Sequence, residues 1–466
     1  MVLVLTVVVL QSISFSNYAL TTKTTNIIYG SAPYLTFDGG RTRVTNTEAL
    51  LGISLSDGRR FTPTTNNSSD NPIELPVAGQ SFNDIGMLVP TDTNSIALSS
   101  LIGTPYNYWG DDDGDGQGID GITATGSLNL SIVDKDNNSV ARNEVLTICK
   151  APYRLILSNT SGRLTTRYGV PNESRFSGGR VNYYINPKKE SSPVICYARP
   201  YLYWSGGLSA AVWVDYKGFL TQSVTPSSYG LNFPTTGANN LWFNLDIVGN
   251  NQALSWAPVS HGGITATMTD STSTRVRVTL TGPAVTDPNQ WQSQYPGRIA
   301  RPSLPQTFEL VGRDSSGNAV VKYGFVLKQW FVNRGPGFYN YSSVESWCNK
   351  IGGYRLPKIR DLTNAICVYP PATLENDGCR GAVGATPSSP RNSYRRHIGA
   401  GFFTEWGKMD HYTDANFNTQ DIRWAVYWTQ DRAAGGRFFL VYSSDGEIHE
   451  RPPSYLEDSY GICVYP

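Results

Sequence analysis

The sequence has few charged residues, and the two signs cancel. Asp, Glu, Lys and Arg make up 16% of the 466 residues, against about a quarter in typical soluble proteins. The 38 Lys and Arg residues are balanced by 37 Asp and Glu residues, which gives a net charge of +1. Such a chain has no global field to attract nucleic acid or anionic membranes. We therefore expect no nucleic-acid partner.

Long apolar runs are also nearly missing. The first residues, MVLVLTVVVL, form one such run, but it is shorter than the roughly 20 residues of a membrane-spanning helix. We interpret residues 1–19 as a secretory signal peptide with Ala19 before the cleavage site, although the usual positively charged start is missing. We expect a secreted, extracellular protein, exported through the periplasm, with no integral membrane segment after signal removal.

Sequence signatures of catalysis are missing too. The chain has no G-x-S-x-G, H-E-x-x-H or P-loop motif, and its four histidines have no paired spacing. We therefore expect that it is not an enzyme. A carbohydrate-binding protein or carbohydrate-active enzyme is the alternative, because Trp109, Trp204 and Trp213 could form sugar-stacking platforms.

The residues that are abundant indicate a β-rich protein. Aromatic residues reach 12%, and 45 Gly and 28 Pro residues divide the chain into short segments. Segments with period-two alternation or apolar character predict strands; they are 127–133, 154–158, 210–216, 240–248, 275–282, 424–429, 437–442 and 460–465. Residues 130–150 and 308–329 resemble each other, since an apolar strand enters an Asp/Ser/Asn turn in both. We predict a β-hairpin in each copy and a domain end near each.

Two short helices are predicted after Gly335. Ser342 and Glu345 form a capping box at the start of the first helix, which Gly352 and Gly353 end. The second begins at residues 356–357 and carries apolar residues at helical spacing as far as Ile366.

Six cysteines form no C-x-x-C pair and suit an exported protein. They are Cys149, Cys196, Cys348, Cys367, Cys379 and Cys463. We interpret them as three disulfides rather than a metal site. Cys149 and Cys196 lie in the first half of the chain, and the other four lie after residue 340.

The last part of the chain resembles a known domain. Four features resemble, in their order along the chain, those of a bacterial domain. They are Trp347-Cys348 in the first helix, Gly-Tyr-Arg-Leu-Pro at 353–357, Tyr-Trp-Thr at 427–429 and Cys463 in the final strand. That domain is the C-terminal C-type-lectin-like domain of the intimin and invasin adhesins, and the resemblance covers roughly the last 130 residues. It implies a Cys348–Cys463 disulfide and leaves Cys367–Cys379 as a local bridge.

The resemblance also implies the architecture and the partner. We expect a mainly β chain, with tandem immunoglobulin-like β-sandwich domains followed by an α+β C-type-lectin-like domain. The expected domains are a β-rich domain at 20–150, immunoglobulin-like structure at 151–333 and the lectin-like domain at 334–466. A protein receptor on a cell surface is the expected partner, or an intimin-like outer-membrane translocator.

Sugar-binding C-type lectins hold Ca²⁺ through Glu-Pro-Asn or Gln-Pro-Asp, followed by Trp-Asn-Asp, and the sequence has none of these triplets. We therefore expect the fold without a calcium-dependent sugar site. The loop region 400–421 is the candidate receptor surface, and its candidate contact residues are Trp406, Lys408, Asp410 and Asp414. The alternative is that the aromatic residues are core and the charges solvated. The basic segment 391–397 is a second candidate, for which a solvated loop is the main explanation.

An acidic loop at 108–120 has the spacing of a calcium site. Asp111, Asp113 and Asp115 occupy the first, third and fifth positions of a D-x-D-x-D-G pattern. Ile122 replaces the usual Glu at the twelfth position, and Asp120 could partly compensate. We predict a structural Ca²⁺ here, with an empty acidic turn as the alternative.

Overall fold

The computed structural model describes residues 29–65, 67–113, 121–189, 192–202, 206–367, 379, 381–417, 425–451 and 459–466. The chain divides into two compact units, Met1–Lys189 and Glu190–Pro466. The fold is mainly β, as predicted. After the resemblance described above, we call residues 190–333 the immunoglobulin-like part and residues 334–466 the lectin-like part. Within the described ranges, no helix is long and apolar enough to cross a membrane.

The described part of the first unit consists of short strands and two single-turn helices. These are β1 (Tyr34–Leu35), α1 (Thr47–Leu50), β2 (Ile53–Ser54), β3 (Arg60–Phe61), β4 (Ile73–Glu74), β5 (Ser95–Ala97), α2 (Leu98–Leu101), β6 (Trp109–Gly110), β7 (Ile122–Thr125), β8 (Ser127–Val133), β9 (Tyr153–Asn159), β10 (Gly162–Thr166), β11 (Glu173–Phe176) and β12 (Gly179–Asn186).

A five-stranded sheet, in the order β4-β12-β9-β8-β5, organises this unit. Tyr153, Leu155 and Leu157 on β9 are buried while their neighbours are half-buried, as period-two alternation predicts. β9 is hydrogen-bonded to β8 on one side and to β12 on the other. The predicted domain boundary at 150/151 therefore falls inside one sheet, and the compact unit extends to Lys189.

The two sequence copies make the same turn but continue differently. Asp134 and Asp314 each accept hydrogen bonds from the backbone N–H groups two and four residues later, at 2.8 to 2.9 Å. After the second turn the chain forms the predicted hairpin, but the first copy has no such strand. The neighbouring position beside β8 belongs to β9 instead, so the prediction of a hairpin in the first copy was wrong.

The second unit carries the remaining elements. These are β13 (Val194–Arg199), β14 (Trp213–Val214), β15 (Gly218–Leu220), β16 (Thr236–Ala238), β17 (Leu241–Val248), β18 (Ser255–Trp256), β19 (Val259–His261), β20 (Ile264–Thr269), β21 (Arg275–Thr281), α3 (Pro288–Gln292), β22 (Gln306–Arg313), β23 (Ala319–Leu327), β24 (Gln329–Asn333), α4 (Tyr341–Lys350), α5 (Ile359–Leu362), α6 (Phe402–Trp406), β25 (Val426–Arg432), β26 (Phe438–Tyr442), β27 (Ile448–Arg451) and β28 (Ile462–Tyr465).

The immunoglobulin-like part of this unit contains two sheets. A seven-stranded sheet has the order β14-β15-β13-β17-β21-β20-β19, and a three-stranded sheet has the order β18-β22-β23. Inward-facing rings from both sheets share one core: Phe243 on β17 contacts Phe325 on β23, at 6.1 Å between ring centroids. The opposite face of β17 carries Trp242, Asn244 and Asp246, which remain half-buried.

β24 connects the immunoglobulin-like and lectin-like parts. It pairs in parallel with β16 and antiparallel with the C-terminal strand β28. The predicted boundary at 333/334 thus lies at the end of a strand that both parts share, and one hydrophobic cluster runs through them.

The lectin-like part differs from prediction in its helix ends. The side chain of Asn340, one residue before α4, caps the helix by accepting from the Ser343 N–H, and Glu345 instead accepts from the Tyr341 hydroxyl. α5 ends at Leu362 because the chain continues into a β-bridge between Ile366 and Val383.

The disulfide prediction is confirmed in this part. Cys348 is bonded to Cys463, and Cys367 to Cys379. Cys149 and Cys196 are disulfide-bonded as well, so no described cysteine is a free thiol.

Candidate binding surfaces

The acidic loop lies only partly inside the described residues. Asp115 and Asp120 lie outside them. Asp113 accepts a hydrogen bond from the Ser31 N–H, and its neighbour Asp112 pairs with Arg43. No group of three metal-binding side chains occurs in the described ranges. The calcium site stays a prediction.

The loop predicted to contact a receptor packs inside the second unit. We call residues 400–417 the docking loop. All five side chains of its helix α6 are buried, including the carboxylate of Glu405. The docking loop lies against the β16 segment of the immunoglobulin-like part, where its polar groups find their partners.

Glu405 is a buried acceptor for several donors. Its two carboxylate oxygens accept from the N–H and hydroxyl groups of Thr235 and Thr236, at 2.6 to 3.1 Å, and from the Gly399 N–H at 2.8 Å. A buried carboxylate is tolerated only when such donors replace its lost hydration. Glu405 therefore fixes the docking loop to the start of β16.

Trp406 is a core residue, so its prediction as an exposed receptor anchor was wrong. Its exposed fraction is 0%. The indole N–H donates to the Thr236 carbonyl at 3.0 Å, and the ring lies 5.0 Å from Phe233 and 5.8 Å from Tyr412. A receptor cannot reach this side chain without opening the unit.

The other three predicted contact residues differ in how far they are exposed. Lys408 and Asp410 form an ion pair at 3.1 Å, and both side chains are largely covered. Asp414 is exposed, and its backbone carbonyl accepts from the side-chain amide of Asn240 at 2.9 Å. These residues lie around the contact with the immunoglobulin-like part, so they do not form one free surface.

The basic segment 391–397 is not a solvated loop, contrary to prediction. Arg396 is fully buried, with its guanidinium carbon 4.3 Å from the centroid of the Trp213 ring. It donates to the Glu405 carbonyl at 2.8 Å. Burial lowers the pKa of Arg396, and the nearby Tyr394 oxygen partly opposes this effect.

The proposed sugar-stacking tryptophans are not one platform. Trp213 is buried beneath Arg396, Trp109 is half-buried in the first unit, and Trp204 lies outside the described residues.

Sequence reasoning also missed Glu405. The sequence offered only a weak local signal, a carboxylate within Phe-Phe-Thr-Glu-Trp, and its threonine partner Thr235 lies 170 residues away.

An exposed groove lies elsewhere on the lectin-like part. We call it the tip groove; it is a cavity of about 270 Å³ lined by Lys358, Ile359, Arg360, Gly381, Val383, Asp431, Arg432 and Phe439. Val383 is 71% exposed, which is high for an apolar side chain. Asp431 already accepts from the Ile359 N–H at 2.6 Å. The three cations Lys358, Arg360 and Arg432 outnumber the single carboxylate of Asp431, so the lining of the groove carries a net positive charge.

Aromatic rings hold one of these cations in place. The Arg432 guanidinium lies 3.9 Å from the ring of Phe438 and 4.2 Å from that of Tyr341. Both rings belong to the core, so the cation is pre-oriented at the groove. The structure thus places a rigid positive charge beside an exposed apolar side chain.

A curated adhesin matches part of the chain. No protein-family model matches the chain. The inverse autotransporter adhesin YeeJ of Escherichia coli strain K12 is 29% identical over 150 residues, which is 30% of this chain and 5% of that protein. The chain therefore spans a small fraction of its curated relative.

Solved structures of two adhesins also align with the chain. Invasin, described as a bacterial integrin-binding protein, aligns with a TM-score of 0.35 and 12% identity, over 74% of this chain and 51% of that one. A C-terminal 282-residue fragment of intimin, in complex with the intimin-binding domain of the translocated intimin receptor, has a TM-score of 0.29 and 11% identity, over 74% and 93%. The sequence match to the inverse autotransporter adhesin supports the resemblance, noted in the sequence, to the intimin- and invasin-like adhesins.

Proposed function

We propose that this chain is an exported adhesin whose lectin-like part binds a protein partner on a cell surface through the tip groove. The sequence match to an adhesin supports the general function. The observation that carries the choice of surface is the exposed Val383 among three cationic side chains. The α6 side chains of the docking loop are already buried against the immunoglobulin-like part, so they are not available for this role.

The groove determines the chemistry of the partner. An apolar centre with a charged rim is a common arrangement in protein interfaces. Lys358, Arg360 and Arg432 favour an acidic rim on the partner, which would increase the association rate at low salt. We therefore expect an acidic protein surface with an apolar side chain that covers Val383.

Export is part of this proposal. Three disulfides suit an oxidising compartment. The buried Cys348–Cys463 bridge connects α4 to the C-terminal strand, so it stabilises the part that carries the groove. Extracellular adhesion needs a domain that stays folded outside the cell.

Val383→Asp tests the proposal in the full chain. Binding of the purified protein to host cells should weaken about tenfold or more, because a carboxylate would replace the apolar centre and repel an acidic partner. Val224→Asp is the matched control, since Val224 is 72% exposed but belongs to the immunoglobulin-like part. It should leave binding unchanged.

Equal binding by the Val383→Asp, Val224→Asp and unsubstituted chains would contradict the proposed surface. The assay needs the full chain rather than the lectin-like residues alone. Removing the immunoglobulin-like part would expose Trp406 and leave Glu405 without its threonine donors.

A further inference from the structure

A second cavity lies in the second unit, away from the tip groove. Its volume is about 780 Å³, within the range of about 300 to 1,000 Å³ typical of small-molecule sites. Its walls come from the outer face of the seven-stranded sheet, the segment after β13 and the docking loop. We call it the basic-aromatic pocket and define it by Tyr201, Tyr216, Trp242, Arg275, Arg277 and His411.

The strand register explains why these residues meet. Asn244 on β17 lies opposite Arg199 on β13 and Arg277 on β21. Because side chains alternate along a strand, Trp242 and Asn244 share one face, and so do Arg275 and Arg277. The inward residues between them fill the sandwich core, so the outward ones rest on a rigid support.

Aromatic rings form the apolar surfaces of the pocket. Tyr201 stacks on His411 with ring centroids 4.0 Å apart, and Trp242 lies 5.8 Å from His411. Tyr216 is 84% exposed at the rim. Flat, fixed rings of this kind suit the flat C–H face of a sugar ring, which needs contact area rather than a deep hole.

The arginines supply charge that the protein only partly neutralises. The guanidinium of Arg199 forms an ion pair with the carboxylate of Asp246, at 3.0 Å. Arg275 is 4.0 Å from the same carboxylate and its side chain is 52% exposed. Arg277 lies 3.7 Å from Asp270 and is 41% exposed. The last two guanidinium groups therefore retain donors for a ligand anion.

Arg277 is also held in position. Its guanidinium carbon lies 4.2 Å from the centroid of the Trp242 ring. Stacking of this kind reduces the rotamer freedom that binding would otherwise cost. Asn244, between Arg199 and Arg277, adds an amide suited to sugar hydroxyl groups.

We propose that the basic-aromatic pocket binds an acidic oligosaccharide, a sugar chain that carries carboxylate or sulfate groups. The rings contact the sugar faces, and Arg275 and Arg277 pair with the anionic groups. Such a site would give the adhesin contact with a polysaccharide coat in addition to its protein partner.

Titration calorimetry with the full chain tests this site. Hyaluronan hexasaccharide carries carboxylates, heparin hexasaccharide carries carboxylates and sulfates, and the uncharged N-acetylchitohexaose is the neutral control. We expect at least one acidic saccharide to bind about tenfold or more tightly than N-acetylchitohexaose, and binding to weaken as salt is added. The pair of acidic probes shows whether carboxylate alone is sufficient.

Two variants assign the binding to the pocket. Trp242→Ala and Arg275→Gln should each weaken acidic-saccharide binding about tenfold. Arg275→Gln is the safer of the two for folding, because Arg275 is mostly exposed. Arg298→Gln is the matched control, as an exposed arginine of the same unit outside the pocket, and should change nothing.

Three results would overturn the proposal. They are no binding of either acidic saccharide at millimolar concentration, binding that Arg275→Gln and Trp242→Ala leave unchanged, and equal binding of hexaglutamate, which would indicate a site for acidic peptides. Val383→Asp should leave saccharide binding intact. The proposal for the tip groove and the proposal for the pocket can therefore be contradicted independently of each other.

Discussion

Two regions of the lectin-like part, the docking loop and the tip groove, contain similar kinds of residue but differ in how far they are buried. The docking loop carries aromatic and charged side chains, and so does the tip groove. The docking loop is covered because Thr235 and Thr236 supply donors for Glu405. The tip groove has no such cover among the described residues, and Val383 stays exposed. Aromatic and charged composition alone therefore does not distinguish an internal interface from a free one.

The largest expected effect is that of Trp406→Ala. Removing a fully buried indole should lower the free energy of unfolding by about 3 to 5 kcal/mol, because a cavity remains and the Thr236 carbonyl loses its donor. Urea denaturation of the full chain would measure this change. Tyr295→Ala, at an aromatic residue that is 81% exposed, is the control and should change stability little.

A Trp406→Ala chain that keeps its stability but loses cell binding would contradict the distinction between a buried docking loop and an exposed tip groove. It would mean that the indole faces a receptor in solution. The difference between the two regions would then disappear.

Glu405→Gln should have a somewhat smaller effect. The substitution keeps the shape but places an amide NH₂ against donors from Thr235, Thr236 and Gly399. Buried donors that lose their acceptor cost about 1 to 3 kcal/mol. Asp414→Asn, an exposed carboxylate on the same loop, should stay within about 0.5 kcal/mol of the unsubstituted chain. Equal urea midpoints for both variants would argue against the buried network.

The smallest expected effect concerns pH. Burial lowers the pKa of His411 below its ordinary value, while Asp410 partly opposes the shift. The unfolded chain thus binds the proton more readily, and stability should decline as pH falls from the ordinary histidine pKa of about 6.5 toward the lower folded value. Above that range the contribution is constant.

Melting temperatures at about pH 7.5 and pH 5.5, measured for the unsubstituted chain and for His411→Gln, would isolate this effect. His411 is exposed over much of its surface, so the difference should be small. An identical pH dependence in both chains would show that His411 does not contribute.

Much of the local structure could be predicted from the sequence. The segment 127–133 coincides with β8, and 240–248 and 275–282 contain β17 and β21, because alternation is a local signal. Of the predicted strand 210–216, only the two residues of β14 are a strand, because the chain turns at Tyr216, which has a φ of 63°. The Cys348–Cys463 bridge followed from family resemblance.

The sites were harder to predict because their partners are distant in sequence. Glu405 meets Thr235 across 170 residues. Trp242 and Arg277 meet only because β17 and β21 pair in one register. Single-sequence reasoning had no means of pairing these segments, so it could not decide whether the aromatic residues of the docking loop form a contact surface or belong to the core.

Amide hydrogen exchange of the free full chain tests the central claim most directly, namely that the docking loop is an internal interface. The Glu405 N–H donates to the Gly401 carbonyl and the Gly407 N–H to the Phe403 carbonyl, in a region whose side chains are buried. We predict that the Glu405 and Gly407 amides exchange as slowly as those of β17 and β21, since breaking their hydrogen bonds requires opening of the core. Exchange of these two amides as fast as at the exposed turn of Gly435 and Gly436 would contradict it.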